Sequence, residues 1–366
     1  MEQILRIQGH ATAGRRGTQH GIRLLAGGFT APKREGRARG ASLLEIGADG
    51  RCVALAEVAM SNPAWFAVHP ARRTVYVGHA DEAYVSALAL DADEGRLELE
   101  STLATGGSST LHLACDPGGD TLLVANFGSG QVSMIGLSAV GAMQELTGVV
   151  SLSAPPGPLP SQTGSQPHQI SFSPDGRFVL VPDRGCDVIW ICAFDARAGA
   201  IEVAGRAEAP PAAGPRHIAW HPFLPIAYVV HELDSSVGVY EWSARQARLG
   251  RLAVRSALPP RYQDRNIGAA ICIAPDGRHL YVSNRGQDAV AVFAVAPDGL
   301  DLQPQGWTAE AGRSPRFMQI SGDGSSLWVA AHGSDDIRRF DVDRDSGALR
   351  EALRLRSPSP ACVALL

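Results

Sequence analysis

Short apolar runs recur along the chain, each bounded by Gly, Pro, Asp or Asn, and they read as β-strands rather than helices. Six stretches repeat one order: an apolar strand, a turn, a second apolar strand, a polar corner and a third strand. They begin near Asn62 (NPAWFAVHPARRTVYVGHADEAYVSALAL), Ser108 (SSTLHLACDPGGDTLLVANFGSGQVSMIGL) and Gln166 (QPHQISFSPDGRFVLVPDRGCDVIWICAF). The remaining three begin near Gly214 (GPRHIAWHPFLPIAYVVHELDSSVGVYEW), Gly268 (GAAICIAPDGRHLYVSNRGQDAVAVFAV) and Ser314 (SPRFMQISGDGSSLWVAAHGSDDIRRFDV). Their spacing of roughly 45 to 58 residues is that of propeller blades. Turns such as Pro174-Asp175-Gly176 and Pro275-Asp276-Gly277 pair a fixed φ with a glycine that tolerates positive φ.

A four-stranded blade cannot bury both its faces alone, so the copies must stack around an axis. The two chain ends supply the missing seventh copy. The C-terminal SPACVALL (359–366) matches a first strand without partners, and GIRLLAGGFT with GASLLEIGADGR near the N-terminus supplies strands without a first strand. Pairing them closes the ring and removes two exposed edges. The prediction is an all-β, seven-bladed β-propeller over residues 22–366, with residues 1–21 a disordered extension. The Pro/Ser/Gly-rich stretch 151–166 reads as an inserted surface loop. No helix is predicted.

Aligned copies expose columns of polar residues. The position after the repeat's proline reads Ala64, Thr110, His168, Arg216, Ala270 and Arg316. The corner after the second strand reads His79, Asn126, Asp183, His231, Asn284 and Ala331, followed by Ala80, Phe127, Arg184, Glu232, Arg285 and His332. The first two strands of a blade are antiparallel neighbours, so both columns should meet at one end of the central channel. His168, Arg216, Glu232 and Arg285 then surround one mouth. Like charges gathered in a dry mouth repel, and an anionic ligand would relieve that cost. Guanidiniums bind carboxylate or phosphate bidentately, and a histidine exchanges a proton near neutral pH. His168, Glu232, Arg216 and Arg285 are the catalytic candidates. Arg316, Asn284, Asp183 and Asn126 are candidate substrate contacts, although Asn and Asp at such corners also bond turn backbone. His69 and His221 are expected at solvated outer turns.

Composition narrows the function. Of 366 residues, 45% are hydrophobic and 19% charged, enough apolar chain for a large core. A formal charge of −4 without a basic stripe argues against nucleic-acid binding. There is no apolar run of membrane-spanning length and no signal-like h-region, so a cytoplasmic protein is expected. Six cysteines lie without a CxxC pair and read as small core residues. Standard catalytic signatures (GxSxG, Walker A) are missing, and His231-Glu232 fails as a zinc HExxH because the fifth residue is Ser235.

The segments QPHQISFSPDGRFVLVPDRGCD, GPRHIAWHPFLPIAYVVHELDSSVGVYEW, APDGRHLYVSNRGQDAVAVF and SPRFMQISGDG resemble the cytosolic 6-phosphogluconolactonase family of seven-bladed propellers, which is related to fungal carboxy-muconate cyclases. The resemblance covers about residues 23 to 366. It implies lactone chemistry in the central funnel without a metal. No cofactor is expected, the expected partner is a small anionic lactone, and a monomer or weak homo-oligomer is expected. The cyclase branch uses one His, two Arg and one Glu, which fall here on His168, Arg216, Arg285 and Glu232. The expected function is hydrolysis of a sugar-acid lactone such as 6-phosphogluconolactone, with His168 or Glu232 as base. A carboxy-muconate cycloisomerase and a non-catalytic binding propeller are the alternatives.

Overall fold

The computed structural model describes residues 21–70 and 73–366. The extension expected over residues 1–21 lies, apart from Gly21, outside the described residues. Among these residues twenty-eight strands, numbered in chain order, form seven four-stranded antiparallel sheets. Among the described residues the only helical pieces are two 3₁₀ turns, Pro32–Arg34 and His332–Ser334.

Each sheet is one blade. The innermost strands of blades 2 to 7 are β4 (Pro63–Val68), β8 (Thr110–Cys115), β12 (Ser171–Phe172), β16 (Pro215–Trp220), β20 (Ile267–Ile273) and β24 (Pro315–Ile320). Blade 1 is composite. Its innermost strand, β28 (Pro360–Leu365), pairs with β1 (Ile22–Gly28), so that Leu24 faces Leu365 and Ala26 faces Val363. The ring therefore closes as the two chain ends predicted.

The apolar core is a set of layers, one in each seam between blades, as expected for sheets that bury both faces. Trp328, Ile337, Leu24 and Leu43 belong to the layer around blade 1. Tyr228, Val230, Val282 and Phe293 fill the seam between blades 5 and 6.

One expectation needs correction. His69 and His221 are buried rather than solvated: a ring nitrogen of His69 meets the Gly119 carbonyl at 3.0 Å, and His221 Nδ1 accepts the N–H groups of Phe223 and Leu224. Each imidazole thereby satisfies turn backbone, which an exposed side chain would leave to water. The stretch 151–166 is the irregular surface loop expected, anchored by two side chains. Leu152 and Gln162 are buried, and Gln162 Nε2 donates to Asp187 Oδ1 at 2.8 Å and to the Arg184 carbonyl at 3.0 Å. It is tied to the polar corner of blade 4.

Candidate active site

One backbone device, repeated around the ring, builds the mouth. The first corner residue of each second strand pairs with the start of the innermost strand: His79 with Pro63, Asn126 with Thr110, Asp183 with Pro167, His231 with Pro215, Asn284 with Gly268 and Ala331 with Pro315. The register then slips, so Arg216 is an extra residue between Pro215 and His217, and Arg316 one between Pro315 and Phe317. Such a bulge re-aims a side chain. The residue ahead of the strand is left-handed at Asn62, Ser109, Gly214, Ser314 and Ser359. At Gly214, where φ is 62°, the carbonyl accepts the Glu232 N–H at 2.7 Å. The same bond joins Phe127 to Ser109, Arg184 to Gln166, His332 to Ser314 and Phe29 to Ser359. Bulge residues and second-corner residues are thus held side by side.

This frame shifts two column assignments. Thr110 takes the proline's place in blade 3, so Leu111, not Thr110, is its bulge residue; in blade 6, Ala269 rather than Ala270 follows the paired Gly268. Nothing in an apolar run without a proline marks that offset.

Glu232 is the centre of the polar side. Its Oε1 accepts from Arg184 Nε at 2.7 Å and its Oε2 from Arg216 Nε at 3.0 Å, and Arg285 Nη2 forms an ion pair with the same Oε2 at 3.1 Å. His168 Nε2 lies 4.0 Å from the same Oε2. Arg216 also donates to the Ala269 carbonyl, and Arg285 to that of Gly268 at 3.2 Å. His168 follows the isolated bridge at Pro167, its N–H bonding the Pro182 carbonyl at 2.9 Å, in a stretch where the innermost strand is broken. The four catalytic candidates therefore converge.

Arg184 is a member that the reasoning from sequence passed over. It stands in the same corner column as Glu232 and Arg285, which was the signal available. Gln166 Oε1 braces it through Nη1 at 2.6 Å, and Ser161 O at 3.3 Å, so the inserted stretch 151–166 holds part of the site.

Electrostatics follow from three guanidiniums paired with one carboxylate. Burial alone would raise the Glu232 pKa, but Arg285, Arg216 and Arg184 outweigh it and hold the group at about 2. Burial, then Arg216 and Arg316, push His168 well below its usual value, so the imidazole is neutral at pH 7. Its Nδ1 and the Nε of Arg285 are buried without a partner.

The other side of the mouth is apolar. Phe29, Ala64, Ala80, Leu111 and Ala361 form one cluster with Phe127 against it, and the Phe127 ring meets the His168 ring edge-on with centroids 5.7 Å apart. One residue further along the innermost strands, Trp65, His112, His217 and Phe317 fill the channel by ring contacts, Trp65 and His112 at 4.0 Å. Sequence reading missed His217 and Trp65 because the bulge turns both inward.

The candidate contacts divide. Arg316 lines the mouth with His168 and Arg216. Asn126, Asp183 and Asn284 are fully buried and hold blade backbone and side chains instead. Asp183 accepts from the N–H of Gln166 at 2.7 Å and from Trp190 Nε1 at 2.9 Å. Asn126 bonds Thr105 and Ser133, and Asn284 donates to the Ala257 carbonyl at 2.8 Å. No contact brings these three to Glu232. Among the described residues no cluster of His, Cys, Asp and Glu suits a metal ion.

The fold is a closed seven-bladed ring whose mouth is lined by arginines around a carboxylate and a neutral imidazole. The chain belongs to the lactonase family of 7-bladed β-propellers, whose model matches residues 23–365, and is a lactonase. Among relatives, a Bacillus subtilis 6-phosphogluconolactonase is 28% identical across 93% of this chain and 98% of its own length. An uncharacterised protein of Lactococcus lactis subsp. cremoris is 31% identical over the same shares of the two chains. A Pseudomonas aeruginosa periplasmic gluconolactonase, 26% identical, superposes with a TM-score of 0.86 over 94% of this chain and 99% of that one.

Proposed function

We propose that this chain hydrolyses an anionic sugar-acid lactone, with 6-phospho-glucono-δ-lactone as its foremost substrate. The observation that carries this reading is a mouth where three guanidiniums hold a single carboxylate and a fourth, Arg316, lines the same opening beside a neutral imidazole. The names of the Bacillus and Pseudomonas relatives, both sugar lactonases, support it.

In this reading water adds to the lactone carbonyl carbon, and His168 takes one water proton as the carbonyl electron pair moves to oxygen. Arg216 and Arg285 face that oxyanion. A well-placed donor of this kind contributes roughly 10²-fold or more, and general-base help adds on the order of 10² to 10⁴. Collapse of the intermediate breaks the ring C–O bond, the departing alkoxide takes the proton from His168, and the new carboxylic acid releases its own proton to solvent. Glu232 is a positioning residue rather than the base, because three guanidiniums already face its two oxygens and leave them no room for a water proton.

The test is acid release from a lactone panel, followed with a pH indicator. The expected result is rapid turnover of 6-phospho-glucono-δ-lactone and a loss of about 10²-fold or more in kcat/KM for Arg285→Ala. A wild-type chain that accelerates no sugar lactone over the spontaneous reaction overturns the proposal.

A further inference from the structure

The four mouth arginines are not equivalent. Arg184, Arg216 and Arg285 each touch Glu232. Arg316 makes no hydrogen bond or ion pair among the described residues; its guanidinium carbon lies over the Phe29 ring, 5.2 Å from the centroid.

Two cations lie over the Phe29 ring. Arg34 lies over the same ring at 5.1 Å, yet its charge is matched, since Asp81 takes its Nε and Nη2 at 2.6 Å each. The ring is almost fully buried, its N–H is tied to Ser359, and His332 packs edge-on at 5.4 Å. Phe29 is therefore immobile and offers Arg316 a face that attracts the cation without occupying its N–H donors. A carboxylate in its place would neutralise the charge and consume those donors. Burial, then Arg285 and Arg34, push the Arg316 pKa down to about 9 against a weaker upward pull from Glu232, which still leaves it charged at neutral pH.

We propose that Arg316, held by Phe29, is a separate oxyanion subsite that takes the charged tail of the substrate, phosphate or carboxylate, while the Glu232-linked arginines serve the reacting ester. The assignment of the ester half rests on the lactonase mechanism above; the anion subsite does not. The division suits a substrate that carries an anionic group in addition to its lactone carbonyl. Phe29 acts as a positioning residue, supplied by the chain segment that closes the ring.

The experiment is calorimetric titration of the full chain with inorganic phosphate and, in parallel, with malonate, for wild type, Arg316→Gln, Phe29→Leu and Phe29→Tyr. Arg316→Gln should weaken the preferred anion about tenfold or more, as loss of a charge-assisted contact does. Phe29→Leu should weaken it several-fold, and Phe29→Tyr, which keeps the aromatic face, should stay close to wild type. Which anion binds separates a phosphate tail from a carboxylate tail. In kinetics, Arg316→Gln should raise KM for 6-phospho-glucono-δ-lactone by a larger factor than it lowers kcat. Unchanged anion affinity in Arg316→Gln overturns the subsite, and equal affinity in the folded Leu and Tyr variants overturns the role of Phe29. A wild type that binds anion through Arg316 but opens no lactone sinks the hydrolase reading and leaves the subsite standing.

Discussion

Arg216 Nε donates to Glu232 Oε2 at 3.0 Å, joining a bulge residue of the innermost strand of blade 5 to the residue just past the end of its neighbour, β17 (Ile226–His231). Both ends of that contact are fixed by backbone, one by the register slip and the other by the bond from the Glu232 N–H to Gly214. Through it Glu232 gathers arginines from blades 4, 5 and 6, so the carboxylate organises the mouth.

Replacing that carboxylate should cost stability. Glu232→Gln keeps the shape but leaves three guanidiniums repelling one another, and breaking a buried pair of this kind costs about 3 to 5 kcal/mol. Urea denaturation at pH 7 should show the loss. The sign with pH follows from the depressed pKa. With its folded pKa near 2 against an ordinary 4.5, Glu232 stabilises the fold fully above about pH 4.5, and that contribution drains away as pH falls toward 2. The wild-type-to-Gln difference should shrink over that interval.

A base that is neutral well below its usual pKa should work in mild acid. The kcat/KM of the hydrolase, followed from pH 8 to pH 5, should show no drop at the ordinary histidine value of about 6.5, because burial and Arg216 keep His168 unprotonated there. A drop centred at 6.5 would mean that a less buried group carries the proton.

Asp183 offers a test of structure against substrate contact. It accepts hydrogen bonds from Gln166, Gly185, Cys186 and Trp190 inside blade 4. Asp183→Ala should lower stability by about 3 kcal/mol, the scale of several buried donors left unpaired, read as a fall in melting temperature. A rise in KM without loss of stability would place Asp183 against substrate after all.

Removing residues 359–366 should open the ring. The deletion exposes the β1 edge and takes out Cys362 and Val363, both buried in the layer around blade 1. Several kcal/mol of packing vanish with them, and an unpaired edge promotes association. Circular dichroism melts and size-exclusion profiles of the truncated chain should show early unfolding and aggregation.

The repeat and its missing first strand were enough to predict seven blades and their closure, because a blade's faces can be buried only by other blades. The corner column likewise picked out Glu232 and Arg285 from sequence, since pairing places the end of one strand beside the start of the next. Alignment lost its hold at the bulges. Thr110 stands where Leu111 is the true equivalent, and Ala270 where Ala269 is, because one extra residue in a short apolar strand leaves no mark in the pattern.

Local sequence thus determined the strands, the turns, the ring and the residue types that reach its mouth, all of which depend on neighbours along the chain. Tertiary structure alone decided which polar groups meet. Arg184 joins Glu232 across 48 residues, Asp183 turns to its own blade, and Phe29 from the first blade comes to face Arg316 from the last. Those choices depend on bulges and on contacts between blades, where a shift of one position re-aims a side chain and no short-range pattern records it.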